Sequence, residues 1–248
     1  MSEIDLENVK VTFPDGSTQK YPMPLLFSDL LKHKSLSDPD ILALMVNGEV
    51  KSLNTTISFG LAKVTPILFD SYEGSSMYRR TLVQVFATAV NKVYGKQFTV
   101  IVHHSINNGY LVKKSDQKDF TEEEISKIKD KMTELIKNDL PIKLVSLSHS
   151  EAIDYFKSIK HDFSVSLIES NNTDIIKCSC IDKFLTLYFR PLGKSTGVIK
   201  DFDVRLSSDK NSLLLCFPTP EKKQIPEKLE EIETKQTTKS YAESFAYS

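Results

Sequence analysis

Cysteine is scarce in this sequence: Cys178, Cys180 and Cys216 are the only three in 248 residues. Three thiols cannot form a disulfide framework, and their rarity suits a reducing compartment, so a cytoplasmic location is expected. A charge of one sign is also lacking. Thirty-two Lys and Arg against 33 Asp and Glu leave a net charge of −1, which excludes a global positive field drawing the chain onto nucleic acid or anionic lipid. Any such binding must be local. No apolar run approaches the roughly 20 residues that cross a bilayer, and the opening Met1-Ser2-Glu3-Ile4-Asp5-Leu6 lacks the apolar stretch of a secretory signal. Neither a membrane partner nor export is expected, and no repeat of solenoid period is visible. What is there, 40% hydrophobic and 26% charged residues, suffices for one large globular domain or two smaller ones.

Apolar residues at alternate positions, Val9, Val11 and Phe13, run into the turn Pro14-Asp15-Gly16 and predict a hairpin. From Pro24 through Leu31 the apolar groups take helical spacing, and the turn-rich stretch 35–39 stops them, which predicts one helix crossing a sheet. The unbroken run 41–46 reads as a buried central strand that turns at Asn47-Gly48, two residues that tolerate positive φ. Leu53, Ile57 and a strand over 64–69 close the unit, which resembles a β-grasp. The small, polar stretch 71–76 then places a domain boundary near residue 70.

A broad apolar stripe from Leu82 to Val93 predicts a core helix over 78–94. Phe98, Val100 and Val102 alternate into a strand that turns at Asn107-Asn108-Gly109 and returns from Tyr110. Thr121 and Glu124 have capping-box spacing, flanked by Phe120 and Ile125 where a hydrophobic staple would form, and Ser148 and Glu151 repeat the logic before a second helix. Strands are expected at 163–168, 175–180, 184–189, 202–206 and 213–217. Helices and strands are grouped, not alternating, so the fold class is α+β. Beyond Pro218 the chain is rich in Pro, Glu, Lys and Thr, with short helices expected near Leu229 and Ile232 and over 241–247. The expected organisation is a β-grasp domain over 1–70, a second α+β domain over 71–218 and a connector over 219–248.

Val46-Asn47-Gly48-Glu49-Val50-Lys51-Ser52-Leu53, with Phe13-Pro14-Asp15-Gly16 ahead of it, resembles the TGS domain, a ubiquitin-like β-grasp module. The following domain resembles the amino-terminal editing region of threonyl-tRNA synthetases, through Ala89-Val90-Asn91-Lys92-Val93-Tyr94, Asn107-Asn108-Gly109-Tyr110 and Phe120-Thr121-Glu122-Glu123. Tyr78-Arg79-Arg80-Thr81-Leu82, His104-Ser105-Ile106-Asn107-Asn108-Gly109, Asp139-Leu140-Pro141, Ser195-Thr196-Gly197 and Cys216-Phe217-Pro218 look like nucleoside kinases of the uridine kinase family that carry both modules ahead of a kinase domain. That resemblance implies a non-catalytic ligand-sensing or domain-contact region, partnered by a carboxy-terminal kinase domain of the same protein. ATP and Mg would serve that domain, which the thirty residues after Pro218 are too few to contain. No cofactor is expected in this chain itself. The alternatives are a tRNA-editing hydrolase or an RNA-binding module related to threonyl-tRNA synthetase.

The editing family implies a His-x3-His pair on the long helix and a Cys-x3-His pair on a later strand and loop, where titratable groups handle water and protons at an ester. Those positions fall here on Arg80 and Gln84, and on Tyr188 and Leu192. Arg is always charged, and Gln and Leu do not titrate, so hydrolysis by this route is not expected and no catalytic residue is assigned. Arg79, Arg80, Gln84, Tyr188, Arg190 and Lys194 are instead the expected binding residues of a vacated cleft, open to a nucleotide or an RNA end. Local charge agrees in sign: residues 1–70 hold six Lys and nine Asp or Glu, while residues 71–218 hold twenty-one basic and eighteen acidic groups. Gly193-Lys194-Ser195-Thr196 lacks the preceding glycine of a phosphate loop, Tyr188 standing in its place, and reads as a turn. Cys178 and Cys180 point the same way on a strand without a zinc-spaced partner and read as two buried thiols, so no metal site is expected.

Overall fold

A computed structural model of the chain describes residues 7–57, 60–95, 98–106, 108–171, 173–207, 211–221 and 223–225. The connector helices expected beyond residue 225 lie outside the described residues. Among those residues no helix is long and apolar enough to cross a membrane.

Strands β1 (Asn8–Thr12) and β2 (Thr18–Pro22) form the expected hairpin, with Val9, Val11 and Phe13 turned inward. A two-residue β3 (Leu25–Leu26) follows, then β4 (Ile41–Val46), β5 (Glu49–Ser52), β6 (Thr56–Ile57) and β7 (Leu61–Leu68). The main sheet has the order β2-β1-β7-β4-β5, with β1 and β7 parallel and the other neighbours antiparallel, which is the β-grasp arrangement. Asn47 and Gly48 take φ of 50° and 89°, the left-handed turn that joins β4 to β5.

The crossing helix is shorter and tighter than its apolar spacing implied. Leu25 and Leu26 pair with Ile57 and Thr56 as strand, and only 3-10 turns remain over Phe27–Lys32 and Lys34–Leu36. The residue ahead of the first turn, Leu26, supplies no side-chain cap, so nothing local favours an α-helical start there.

Helix α1 (Tyr72–Tyr94) starts six residues earlier than expected, and the polar stretch that read as a linker is its first turn. Ser71 caps it, its Oγ accepting from the Gly74 N–H at 3.0 Å. Small residues are needed there for packing: a Cβ on Gly74 would sit 2.0 Å from the Leu68 carbonyl oxygen at the end of β7. The chain continues through β8 (Val100–Ile106), β9 (Gly109–Lys114), α2 (Glu122–Lys137), β10 (Lys143–Ser148), α3 (His149–Ser158), α4 (Asp162–Glu169), β11 (Ile175–Ile181), β12 (Phe184–Leu187), β13 (Asp203–Leu206) and β14 (Leu213–Cys216). Both capping boxes form, Thr121 with Glu124 and Ser148 with Glu151. The expected strand over 163–168 is instead α4. Val165 and Ile168 are buried three residues apart while Phe163 is exposed, and His161 Nδ1 accepts from the Ser164 N–H to start the helix.

Sheet β13-β14-β9-β8 is antiparallel throughout, and a smaller antiparallel sheet β10-β11-β12 packs with α3 and α4. The largest core joins α1, α2 and the four-stranded sheet through Leu82, Val85, Phe86, Ile128, Met132 and Leu215. Leu42, Ala43 and Ile67 enter the same core from the β-grasp sheet. That sheet is therefore covered on both faces, since Val9, Val11, Leu44 and Val64 form its own core on the other side. The whole is the α+β fold expected of a β-grasp followed by a larger mixed unit.

Candidate functional site

Helix α1 presents Arg80 and Gln84 one turn apart, on one face. The Arg80 guanidinium donates through Nε and Nη2 to the Pro191 carbonyl at 3.3 and 3.1 Å. One residue on, Thr81 Oγ1 accepts from the Gly193 N–H at 2.9 Å. These bonds hold the segment 190–193 against the helix, so Arg190 stands beside Arg80. Gln84 is 4% exposed, and neither its Oε1 nor its Nε2 has a hydrogen-bond partner.

The neighbouring Arg79 donates from Nη2 to Ser76 Oγ at 3.3 Å and lies 5.7 Å above the Phe217 ring, with its Nε buried and unpaired. Phe217 packs on Tyr110 with ring centroids 5.0 Å apart, and its N–H donates to the Asn108 carbonyl at 2.9 Å. Asn108 is itself buried with Nδ2 unpaired. The pairing of Gly109 with Cys216 brings these three residues to the arginines.

Burial lowers the Arg80 pKa, the like charge of Arg190 lowers it further, and Tyr110 and Tyr188 act against both. Burial raises the pKa of Tyr110 and of Tyr188, so both phenols stay protonated at neutral pH. Among the described residues no carboxylate forms an ion pair with Arg79, Arg80 or Arg190. Three guanidinium groups, two neutral phenols and two under-bonded carboxamides thus lie near one another. Such a set is chemically able to bind negative charge and to donate hydrogen bonds. It offers no group that titrates near neutrality to take a proton from water.

Arg79, Arg80, Gln84, Tyr188 and Arg190 therefore gather at one place, and Lys194 does not join them. The Lys194 carbonyl accepts from the Ile142 N–H at 3.0 Å, and its side chain lines a hollow with Asn54 and Lys143 at the seam with the β-grasp unit. Leu192 is buried, its carbonyl accepting from Ser52 Oγ at 2.5 Å across the same seam. Asn108, Tyr110 and Phe217 were not singled out as site residues from the sequence, although each falls within or beside a quoted motif. Nothing in their spacing announces that β9 and β14 deliver them to the helix.

The turn at 193–196 is structural. Thr196 Oγ1 donates to the Leu135 carbonyl at 2.6 Å and accepts from the Leu140 N–H at 2.8 Å. Cys178 is buried, which pushes its thiol up to about 11, while Cys180 is only half-buried, so the pair is not the two enclosed thiols expected. Among the described residues no group of three His, Cys, Asp or Glu could hold a metal ion.

Fold and cleft together define a two-part module, a TGS-type β-grasp followed by an α+β unit like the editing region of threonyl-tRNA synthetases. No family model matches the chain. It is similar to threonine-tRNA ligases: that of Desulforamulus reducens is 28% identical over 215 residues, covering 83% of this chain and 34% of the relative. That of Paraburkholderia phytofirmans is 30% identical over 199 residues, covering 78% and 31%. That of Chloroherpeton thalassium is 30% identical over 210 residues, covering 82% and 31%. The chain spans about a third of the length of these relatives.

These relatives overturn the nucleoside kinase assignment. The motifs behind it, from Tyr78 to Pro218, lie inside modules that such kinases share with threonyl-tRNA synthetases, so they report the modules and not a kinase. The expectations of a kinase partner domain, of ATP and of Mg rested on that kinship alone.

Proposed function

We propose that the chain is an RNA-binding module related to threonine-tRNA ligases, in which residues 1–70 and 71–218 act together and the arginine cleft holds the 3′ end of a tRNA without hydrolysing an ester there. The observation that carries this reading is the grouping of Arg79, Arg80 and Arg190 around buried, under-bonded Gln84, with no carboxylate among the described residues paired to them. Like charges held together at a partly desolvated site repel one another until an anion arrives, so the arrangement favours a phosphate-bearing ligand. The similarity to threonine-tRNA ligases over about four-fifths of the chain supports tRNA as the source of that phosphate.

Hydrolysis is disfavoured by the same residues. A general base must accept a proton near the working pH. Arg80 is permanently charged and committed to the Pro191 carbonyl, Gln84 does not titrate, and the pKa of Tyr188 is raised. The test is fluorescence anisotropy with labelled tRNA alongside a deacylation assay on seryl-tRNA for threonine. Salt-sensitive binding that weakens in Arg190→Ala, with deacylation at background, is the expected result. Deacylation above background that vanishes in Gln84→Ala would establish an editing hydrolase in its place.

A further inference from the structure

The sequence holds two Asn-Gly pairs, Asn47-Gly48 and Asn108-Gly109, and one Asp-Gly pair, Asp15-Gly16. A glycine in second place lets its backbone nitrogen reach the preceding side-chain carbon, because no Cβ stands in the way. The fold treats the three pairs differently. Asn108 is buried, its carbonyl accepts from the Phe217 N–H, and Gly109 is paired with Ile106 on one side and Cys216 on the other. Both the water and the backbone freedom that such an attack needs are denied there. Asp15 is exposed, but two bonds from Ser17 hold its carboxyl below the ordinary pKa, and an ionised carboxylate resists a nucleophile. Asn47 and Gly48 are both exposed and lie at the tip of their turn, beyond the last ladder pair, Val46 with Glu49.

The Asn47 carboxamide is nonetheless held. Its Nδ2 donates to the Leu61 carbonyl at 2.9 Å, its Oδ1 accepts from the Lys63 N–H at 2.8 Å, and the Asn47 N–H donates to the Lys63 carbonyl at 3.0 Å. The side chain thus carries the β4–β7 ladder one step past the pair of Val46 with Val64. Both ends of the amide are in use. A carboxylate in its place could still accept from Lys63 but would set an oxygen against the Leu61 carbonyl, acceptor against acceptor. The strand so gripped joins the two ends of the β-grasp: Leu61, Ala62 and Lys63 are the β7 residues paired with β1, and Ala62 and Val64 lie in its core.

We propose that Asn47 is a site of spontaneous deamidation, held off by its grip on β7 and released whenever the start of that strand opens. With the two side-chain bonds open, the Gly48 nitrogen gives its proton to a solvent base and bonds to Asn47 Cγ. The Cγ–Nδ2 bond breaks, and Nδ2 takes up a proton and leaves as ammonia. Water then adds to either carbonyl of the succinimide ring and breaks one C–N bond, giving aspartate or isoaspartate; nothing is oxidised or reduced. The change runs one way. Aspartate has no donor for Leu61, and isoaspartate lengthens the backbone of a two-residue turn, so the full grip does not return. Each conversion leaves the start of β7 more weakly held, and the chain carries a covalent record of its local openings.

The experiment incubates the full chain in mildly alkaline buffer, native and in strong urea, and follows the three pairs by peptide mapping that separates aspartate from isoaspartate. In the native chain Asn47 should convert ahead of Asn108 and Asp15, yet about tenfold or more slower than in urea, the factor that two hydrogen bonds supply. Urea below the unfolding transition should already speed it. The melting temperature should drift down as conversion proceeds, and hold steady in Asn47→Gly, which keeps the left-handed turn and has no amide to lose. A native rate at Asn47 equal to the rate in urea would show that the bonds gate nothing, and one no higher than at Asn108 would show that the turn is not singled out. Either result, or a converted fraction that melts with the unconverted chain, would refute the proposal.

Discussion

Thr81 Oγ1 accepts a hydrogen bond from the backbone N–H of Gly193, 112 positions further along the chain, at 2.9 Å. The same hydroxyl donates to the Met77 carbonyl at 2.8 Å, so one buried oxygen ties the helix to the segment that carries Arg190. Thr81→Val keeps the shape and removes the acceptor, leaving the Gly193 N–H buried without a partner. The expected loss is about 1–3 kcal/mol of stability by denaturant titration. RNA affinity should fall as well, because the segment beside Arg80 is released.

Lys114 and Glu124 form an unequal pair. Lys114 is 6% exposed, meets both Glu124 oxygens at 2.8 Å, donates to the Asp119 carbonyl and lies over the rings of Phe98 and Phe120. Burial raises the Glu124 pKa, but Lys114 and the Thr121 cap outweigh it and leave the carboxyl below its ordinary value. Glu124→Ala strands a buried ammonium and breaks the capping box, and should cost about 3 kcal/mol or more. Lys114→Met leaves only a carboxylate with access to water and should cost less. Equal losses in thermal melts of the two variants would contradict this ordering.

His161 sets a pH dependence in the small sheet unit. Burial lowers its pKa, and its Nδ1 accepts from the Ser164 N–H at the start of α4. A histidine with a lower pKa in the folded than in the unfolded state binds fewer protons when folded, so stability falls as pH drops below the ordinary value near 6.5. Protection factors of the α4 amides, that is, exchange rates divided out for the intrinsic pH dependence, should therefore fall below about pH 6.5. In His161→Asn, whose amide oxygen caps without titrating, that loss of protection should disappear.

Ser52→Val tests the seam. It deletes the donor to the Leu192 carbonyl while keeping an apolar body in a buried position. A stability loss of about 1–3 kcal/mol is expected.

Local signals with a full hydrogen-bond logic were readable before any coordinates. Thr121 with Glu124 and Ser148 with Glu151 mark true helix starts, and the Val9, Val11, Phe13 alternation marks a true inward face. Short apolar segments were not decidable: over 163–168 a period of two and a period of three both fit, and only the His161 cap separates them. The 71–76 stretch misled because the small polar residues typical of a linker are also what a helix needs when it starts against a strand end. At the site, aligned positions located Arg80, Gln84 and Tyr188. The β9–β14 pairing that brings Asn108 and Phe217 to them is a long-range event with no local mark.

Leu42, Ala43 and Ile67 belong by sequence to the β-grasp, yet they pack into the core built around α1. Cutting the chain at residue 70 would turn those side chains and their partners toward water at once. Neither half is then a portable cassette: heated together they should melt in one calorimetric peak, and apart each should bind a hydrophobic dye that the intact chain ignores.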